Sequence, residues 1–175
     1  MNRLALSVCG CSGALLLAAC AGPAAIVVPA NLVPAGERPI DRIASSGAVT
    51  YECRAKAGDA SAASWFYSAA EADLLDTAGL RIGRHTFPPP VWELNDGSKI
   101  AGEIKARADA PIPGAAPWLL VATRSTGGEG RLAKATSLQR VNTVGGAAPV
   151  AGCDVATVGS KLRVPFTADY LLFSK

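Results

Sequence analysis

From residue 48 onward the chain reads as a series of short apolar and alternating segments cut by glycine, proline and polar turns. Residues 48–53 alternate strictly, with Val49, Tyr51 and Cys53 on one side and Thr50 and Glu52 on the other. That period of two predicts a half-buried strand. Residues 64–68 form a short aromatic strand. Residues 72–76 and 80–84 flank Thr77-Ala78-Gly79, a hairpin turn. Residues 91–94 and 99–105 flank Asn95-Asp96-Gly97-Ser98, and Asp-Gly between two alternating runs is a strong hairpin signal. Residues 117–123 are almost continuously apolar, as in a strand buried on both faces. Gly127-Gly128-Glu129-Gly130 marks a turn, and 132–142 a longer strand. Residues 144–152 read as a loop, and 162–165 and 168–173 as the last strands. A brief helical turn is expected over 39–45, ended by Gly47. Short strands at this spacing predict a single all-β domain, an antiparallel β-sandwich or barrel with short hairpins and little helix.

The first twenty residues follow a different rule. Arg3 supplies a positive head, residues 4–19 are small and apolar, and Leu17-Ala18-Ala19-Cys20 stands at the end. This layout is that of a secretory signal, and it resembles a bacterial lipoprotein signal peptide. The resemblance implies cleavage before Cys20, lipid attachment at Cys20, and a membrane partner through that anchor. Ala21 follows the cysteine rather than Asp, which in that family points to the outer membrane, facing the periplasm. The apolar run is shorter than the about 20 residues a spanning helix needs. Residues 1–19 are therefore read as signal peptide. Residues 20–43 are read as anchor and Pro/Ala-rich tether, whose Val27 and Val28 can still pack on the domain as an extended edge, and 44–175 as the folded domain.

Composition narrows the chemistry. The chain of 175 residues carries 18 Gly and 12 Pro, which disfavour long helices, and a formal charge of only +3. Without clustered Lys and Arg it is not a nucleic-acid binder. Cys9 and Cys11 leave with the signal and Cys20 is reserved for lipid, so Cys53 and Cys153 remain. In an oxidising compartment they most simply pair. Neither has a second ligand at zinc-type spacing, so no metal site is expected. No nucleotide fingerprint or phosphate loop is present, and no cofactor is expected.

His85 is the single histidine. Its ordinary titration near neutrality suits an acid, a base or a ligand contact, and Glu93 or Asp96 would have to orient it for base catalysis. No Gly-x-Ser-x-Gly nucleophile motif accompanies it. Trp92, between prolines and a polar turn, is expected near a loop, exposed and able to stack on a ligand, whereas Trp118, before Leu119-Leu120-Val121, is expected in the core. Arg140 and Asn142 precede a diglycine that can present backbone N–H groups to an anion. The candidate ligand surface is thus His85, Trp92, Glu93, Asp96, Arg140 and Asn142.

Several segments occur in an order similar to that of a known family. They include Val49-Thr-Tyr-Glu-Cys53, Glu71-Ala-Asp-Leu-Leu-Asp76, Gly83-Arg-His85, Trp92-Glu93, Asp96-Gly-Ser98 and Pro117-Trp-Leu-Leu120. Gln139-Arg-Val-Asn-Thr-Val-Gly-Gly146, Gly152-Cys-Asp154 and Ala168-Asp-Tyr170 complete the set. They resemble the DUF3455 family, secreted bacterial and fungal proteins of unknown function, over about residues 44–174. Where that family commonly has Gly-Pro before the Trp-Glu region, this chain has Pro88-Pro89-Pro90. The resemblance implies no activity. The expectation is an envelope binding or structural module, with enzymatic activity not favoured. The rivals are a hydrolase of envelope polymers using His85 with Glu93 or Asp96, and a lysozyme-inhibitor-like lipoprotein.

Overall fold

The computed structural model describes residues 27–175; the signal peptide, Cys20 and the start of the tether lie outside the described residues. Eight strands run in order: β1 (Arg38–Lys56), β2 (Asp59–Leu75), β3 (Arg81–Phe87), β4 (Val91–Leu94), β5 (Lys99–Ala108), β6 (Trp118–Gly127), β7 (Ser137–Gly145) and β8 (Lys161–Ser174). Each pairs antiparallel with the next, and β8 returns to β1, so the sheet closes into a barrel. Closure leaves no free sheet edge. The all-β expectation holds, and of its two forms the barrel is the one formed.

Several elements differ from their sequence reading, each for a physical reason. Residues 39–45 are not helical: Arg42 and Ile43 pair with Leu171 and Tyr170 in β8. The segments 64–68 and 72–76 are one strand, as are 162–165 and 168–173. Small and polar residues at their junctions look like breaks, but in a tilted barrel long strands coil through them. A register shift between Thr50 and Tyr51 adjusts the longest pair. The 132–142 segment becomes a strand only at Ser137. Before it, turn hydrogen bonds from Ala133 to Gly130 (3.1 Å) and from Ala135 to Leu132 (3.0 Å) fold the chain inward.

The two ends of the barrel are filled differently. The end carrying the β2–β3, β4–β5 and β6–β7 connections is plugged by Ile43, Leu74, Leu94, Leu132, Leu138 and Leu172, all buried in one cluster. Asp96 fastens this end. It accepts hydrogen bonds from the Ser98 amide (2.9 Å), the Ser98 hydroxyl (2.6 Å) and the Arg131 amide (2.9 Å). These donors, Arg131's amide first, hold its carboxyl below the usual range. The opposite end carries the β1–β2, β3–β4, β5–β6 and β7–β8 connections.

The segment before β1 does not hang free. A 3₁₀ turn at Ala30–Leu32 buries Leu32 against Trp118 and Val141 on the outside of the barrel. Val28 packs there too, while Val27 stays exposed. Gln139 donates to the Leu32 carbonyl at 2.6 Å. Trp118 is buried as expected, though under this outer strap and not inside the barrel. Elsewhere the outer face is charged, with Glu71, Asp73, Arg84, Glu103, Lys105 and Arg163 exposed. A membrane-spanning barrel has the reverse distribution, an apolar band outside.

Candidate functional site

Above the plug the barrel is not filled. A cavity of about 250 Å³ lies toward the second end, and all eight strands contribute to its wall. Val49 and Tyr51 come from β1, Tyr67 from β2, His85 and Phe87 from β3, and Trp92 from β4. Ile104 and Arg107 come from β5, Leu119 and Val121 from β6, Arg140 from β7 and Tyr170 from β8. Pro90, Ala116, Pro117 and Gly146, in or beside the connections, form its rim. Eight-stranded barrels have interiors just wide enough to be packed solid or to hold one small ligand.

Register explains the inner wall. His85 sits directly opposite Trp92 in the β3–β4 pair. Cross-strand neighbours of this kind are in reach of one another, and the two rings stack at 4.4 Å and 16°. Tyr170 meets both edge-on, at 5.6 Å from His85 and 5.5 Å from Trp92. Trp92 has room because residue 102 is glycine. A Cβ there would stand 2.8 Å from Trp92 Cζ3 and 2.6 Å from Val121 Cγ1. Nearer the rim, Tyr67 packs edge-on against Tyr51 at 6.0 Å and Phe87 at 5.0 Å.

The polar groups of the wall are few and unevenly satisfied. Tyr51 donates to the Gly146 carbonyl at 2.7 Å. That contact needs Gly146, whose φ of +86° and 2.8 Å approach to Phe166 Cβ exclude a side chain. The His85 Nδ1–H donates to the Val91 carbonyl at 2.9 Å, which sets the neutral tautomer and leaves Nε2 as an acceptor. Burial pushes the His85 pKa down to about 4. Trp92 Nε1 and Tyr170 Oη are buried without a well-formed hydrogen bond. Burial raises the Tyr170 phenol above its ordinary value, and the neighbouring Trp92 and Ser45 donors oppose that rise.

Arg140 is the outstanding group. It lies opposite Tyr170 on one side and Leu119 on the other. Only 8% of its surface is exposed. Its Nε and Nη2 donate to the Pro117 carbonyl at 3.2 and 2.8 Å. Among the described residues it pairs with no carboxylate, and no Asp or Glu lines the cavity. Burial lowers its pKa, yet a guanidinium stays protonated.

Three of the residues picked from sequence meet here: His85, Trp92 and Arg140. Trp92, expected to be exposed, is 3% exposed, because its strand turns it inward and Gly102 admits it. The other three lie elsewhere. Glu93 alternates with Trp92, so it faces out and pairs with Lys99 at 3.4 Å. Asp96 serves the turn at the plugged end. Asn142, at a bulge with φ of 52°, donates to Asp169, which also binds Arg42. His85 thus meets a backbone carbonyl where the base reading required Glu93 or Asp96. Sequence reasoning missed Tyr67, Phe87, Arg107 and Tyr170. Tyr51 was on the correct face but not recognised as part of a site.

Cys53 and Cys153 are joined, with Cα atoms 5.4 Å apart. The bridge ties the top of β1 to the β7–β8 connection, where Trp65 donates to the Ala151 carbonyl at 3.0 Å. The covalent tie, the rim and the cavity share one end of the barrel.

Fold and site together define a class: a small closed β-barrel with a ring-lined interior cavity and a buried, unpaired cation in its wall. The family described as "Protein of unknown function (DUF3455)" matches residues 34–174, and the chain belongs to that family. No curated protein and no solved structure matches it.

Proposed function

We propose that this protein is a small-molecule binding module of the bacterial cell envelope, held to the outer membrane by lipid on Cys20 and taking one ligand inside its barrel. The observation that carries the reading is the cavity of about 250 Å³ above a solidly packed plug. Apolar space lined by rings, with a few convergent polar groups, is the usual form of a ligand pocket. The neutral His85, bonded to backbone and stacked on Trp92, acts as a wall and a hydrogen-bond acceptor. Leu17-Ala18-Ala19-Cys20 supports the anchor, and several lipid chains at about 0.8 kcal/mol per buried methylene give stable attachment.

Two experiments test the two halves. For binding, the purified, disulfide-intact protein is titrated calorimetrically with a panel of one-ring compounds, neutral and acidic. One-to-one saturable binding is expected, and Ile104→Trp, which fills the cavity from β5, should abolish it. Failure of every panel member, or binding unaffected by Ile104→Trp in a folded variant, contradicts the reading. For the anchor, Cys20→Ser should move the protein out of the membrane fraction and end labelling by radioactive fatty acid.

A further inference from the structure

We infer that the barrel's ligand is a small organic acid, an apolar one-ring body carrying a single carboxylate, and that the carboxylate sits on Arg140. The inference rests on the cavity-binding reading above and names its ligand class.

The argument starts from charge. A guanidinium taken out of water is costly unless an anion accompanies it. Arg140 is 8% exposed, and its two hydrogen bonds both go to one neutral carbonyl, that of Pro117. A guanidinium has five N–H donors, so three remain without a protein partner, on a side chain that lines the cavity. The Pro117 contacts fix the plane of the group, which is what bidentate recognition of a carboxylate needs. The only other cation of the wall is Arg107, exposed on β5. It favours the approach of an anion but is screened by water. One buried positive charge without a counter-ion calls for one negative charge.

Shape supplies the rest. The rest of the lining is largely apolar and ring-bearing, with Trp92 and Tyr170 inside and Tyr67 at the rim. A cavity of about 150 Å³ holds one benzene ring, so 250 Å³ takes a ring with a short acidic arm. Inorganic anions would satisfy Arg140 but leave the apolar wall unused. The neutral His85, whose Nδ1–H is taken by the Val91 carbonyl, adds no charge to the site and leaves Nε2 to accept an O–H or N–H on the ring.

The test is calorimetry at pH 7 on the disulfide-intact protein with three probes: phenylacetate, its neutral isostere phenylacetamide, and inorganic phosphate. Phenylacetate should bind at least tenfold tighter than phenylacetamide, and phosphate more weakly than either. In Arg140→Met the preference for the acid should vanish, phenylacetate binding no tighter than phenylacetamide to the same variant. Arg140→Gln serves the same purpose if the methionine variant does not fold, as judged by near-ultraviolet circular dichroism. Equal or tighter binding of the amide by the native protein overturns the inference and leaves the cavity reading standing. An acid preference that survives loss of the guanidinium also overturns it. If neither organic probe binds, the inference is overturned, while the cavity reading is decided separately by the wider one-ring panel and Ile104→Trp.

Discussion

The two ends of this barrel are made by the same eight strands and do opposite things. At the plugged end Leu74, Leu94, Leu132, Leu138 and Leu172 fill the interior, and polar groups there are fully engaged, as in Asp96 with its three donors. At the open end the interior holds empty space and a cation whose only hydrogen bonds go to one neutral carbonyl. Leucine packing fills the first, whereas the second leaves a buried cation without a counter-ion beside empty space. A disulfide stands at the cavity end, beside a smaller buried cluster of Val49, Tyr51, Ala70, Phe166 and Ala168. Under the proposed function, the cavity end is where native contacts have been given up to receive a ligand.

The largest effect expected from breaking this division is loss of the staple. Cys53→Ser with Cys153→Ser opens a loop with a separation of 100 residues, and the chain-entropy relation gives a cost of up to about 4.7 kcal/mol. Denaturant midpoints should fall accordingly. At the plugged end Leu172→Ala should cost about 3 kcal/mol by the same measurement, through lost transfer energy and a residual void. If it cost less than about 1 kcal/mol, the plug would not be the packed core described.

His85 gives a pH signature at the open end. Its folded pKa of about 4 lies below its unfolded value near 6.5. The unfolded chain therefore binds the proton first. The stability that His85 contributes is complete above pH 6.5 and is lost as pH falls toward 4, by about 2–3 kcal/mol at pH 4.5. The difference in urea midpoint between the native protein and His85→Gln should change with pH in that window and be flat above pH 7.5. A smaller effect of opposite sign belongs to Arg140→Met. Removing a buried charge that has no partner should leave stability unchanged or raise it by about 1 kcal/mol, seen as a higher Tm without ligand. Glu93→Gln should do least, under about 0.5 kcal/mol, since its pair with Lys99 is half exposed. It should not alter ligand binding.

Much of the fold is legible in the chain. The Asn95-Asp96-Gly97-Ser98 turn and the strand at 91–94 lie where the pattern puts them, and Val49, Tyr51 and Cys53 share the buried face that their alternation requires. Barrel closure is not legible, because it depends on β8 finding β1 across the whole sequence, and local patterns do not encode which edges meet. Pro165 looks like a strand break. In β8 it is tolerated opposite Ala48, with the ladder continuing on both sides. The strap at Ala30–Leu32 reads only as tether because its anchoring side chains, Val28, Asn31 and Leu32, are scattered among prolines and alanines. Half of the candidate site could have been sharpened without a structure. Trp92 and Glu93 are adjacent in a strand and must point to opposite faces, so they never could serve one site together. Tyr67 and Tyr170 were beyond reach, since alternation separates inside from outside but not a packed interior from a hollow one.

The most direct test of the account watches Arg140 itself. In a nitrogen–proton spectrum of the arginine side chains, titration with phenylacetate should move the Arg140 Nε–H resonance saturably, while that of Arg131, paired with Asp41 near the plugged end, stays in place. An Arg140 resonance that does not move while phenylacetate binds would contradict the account.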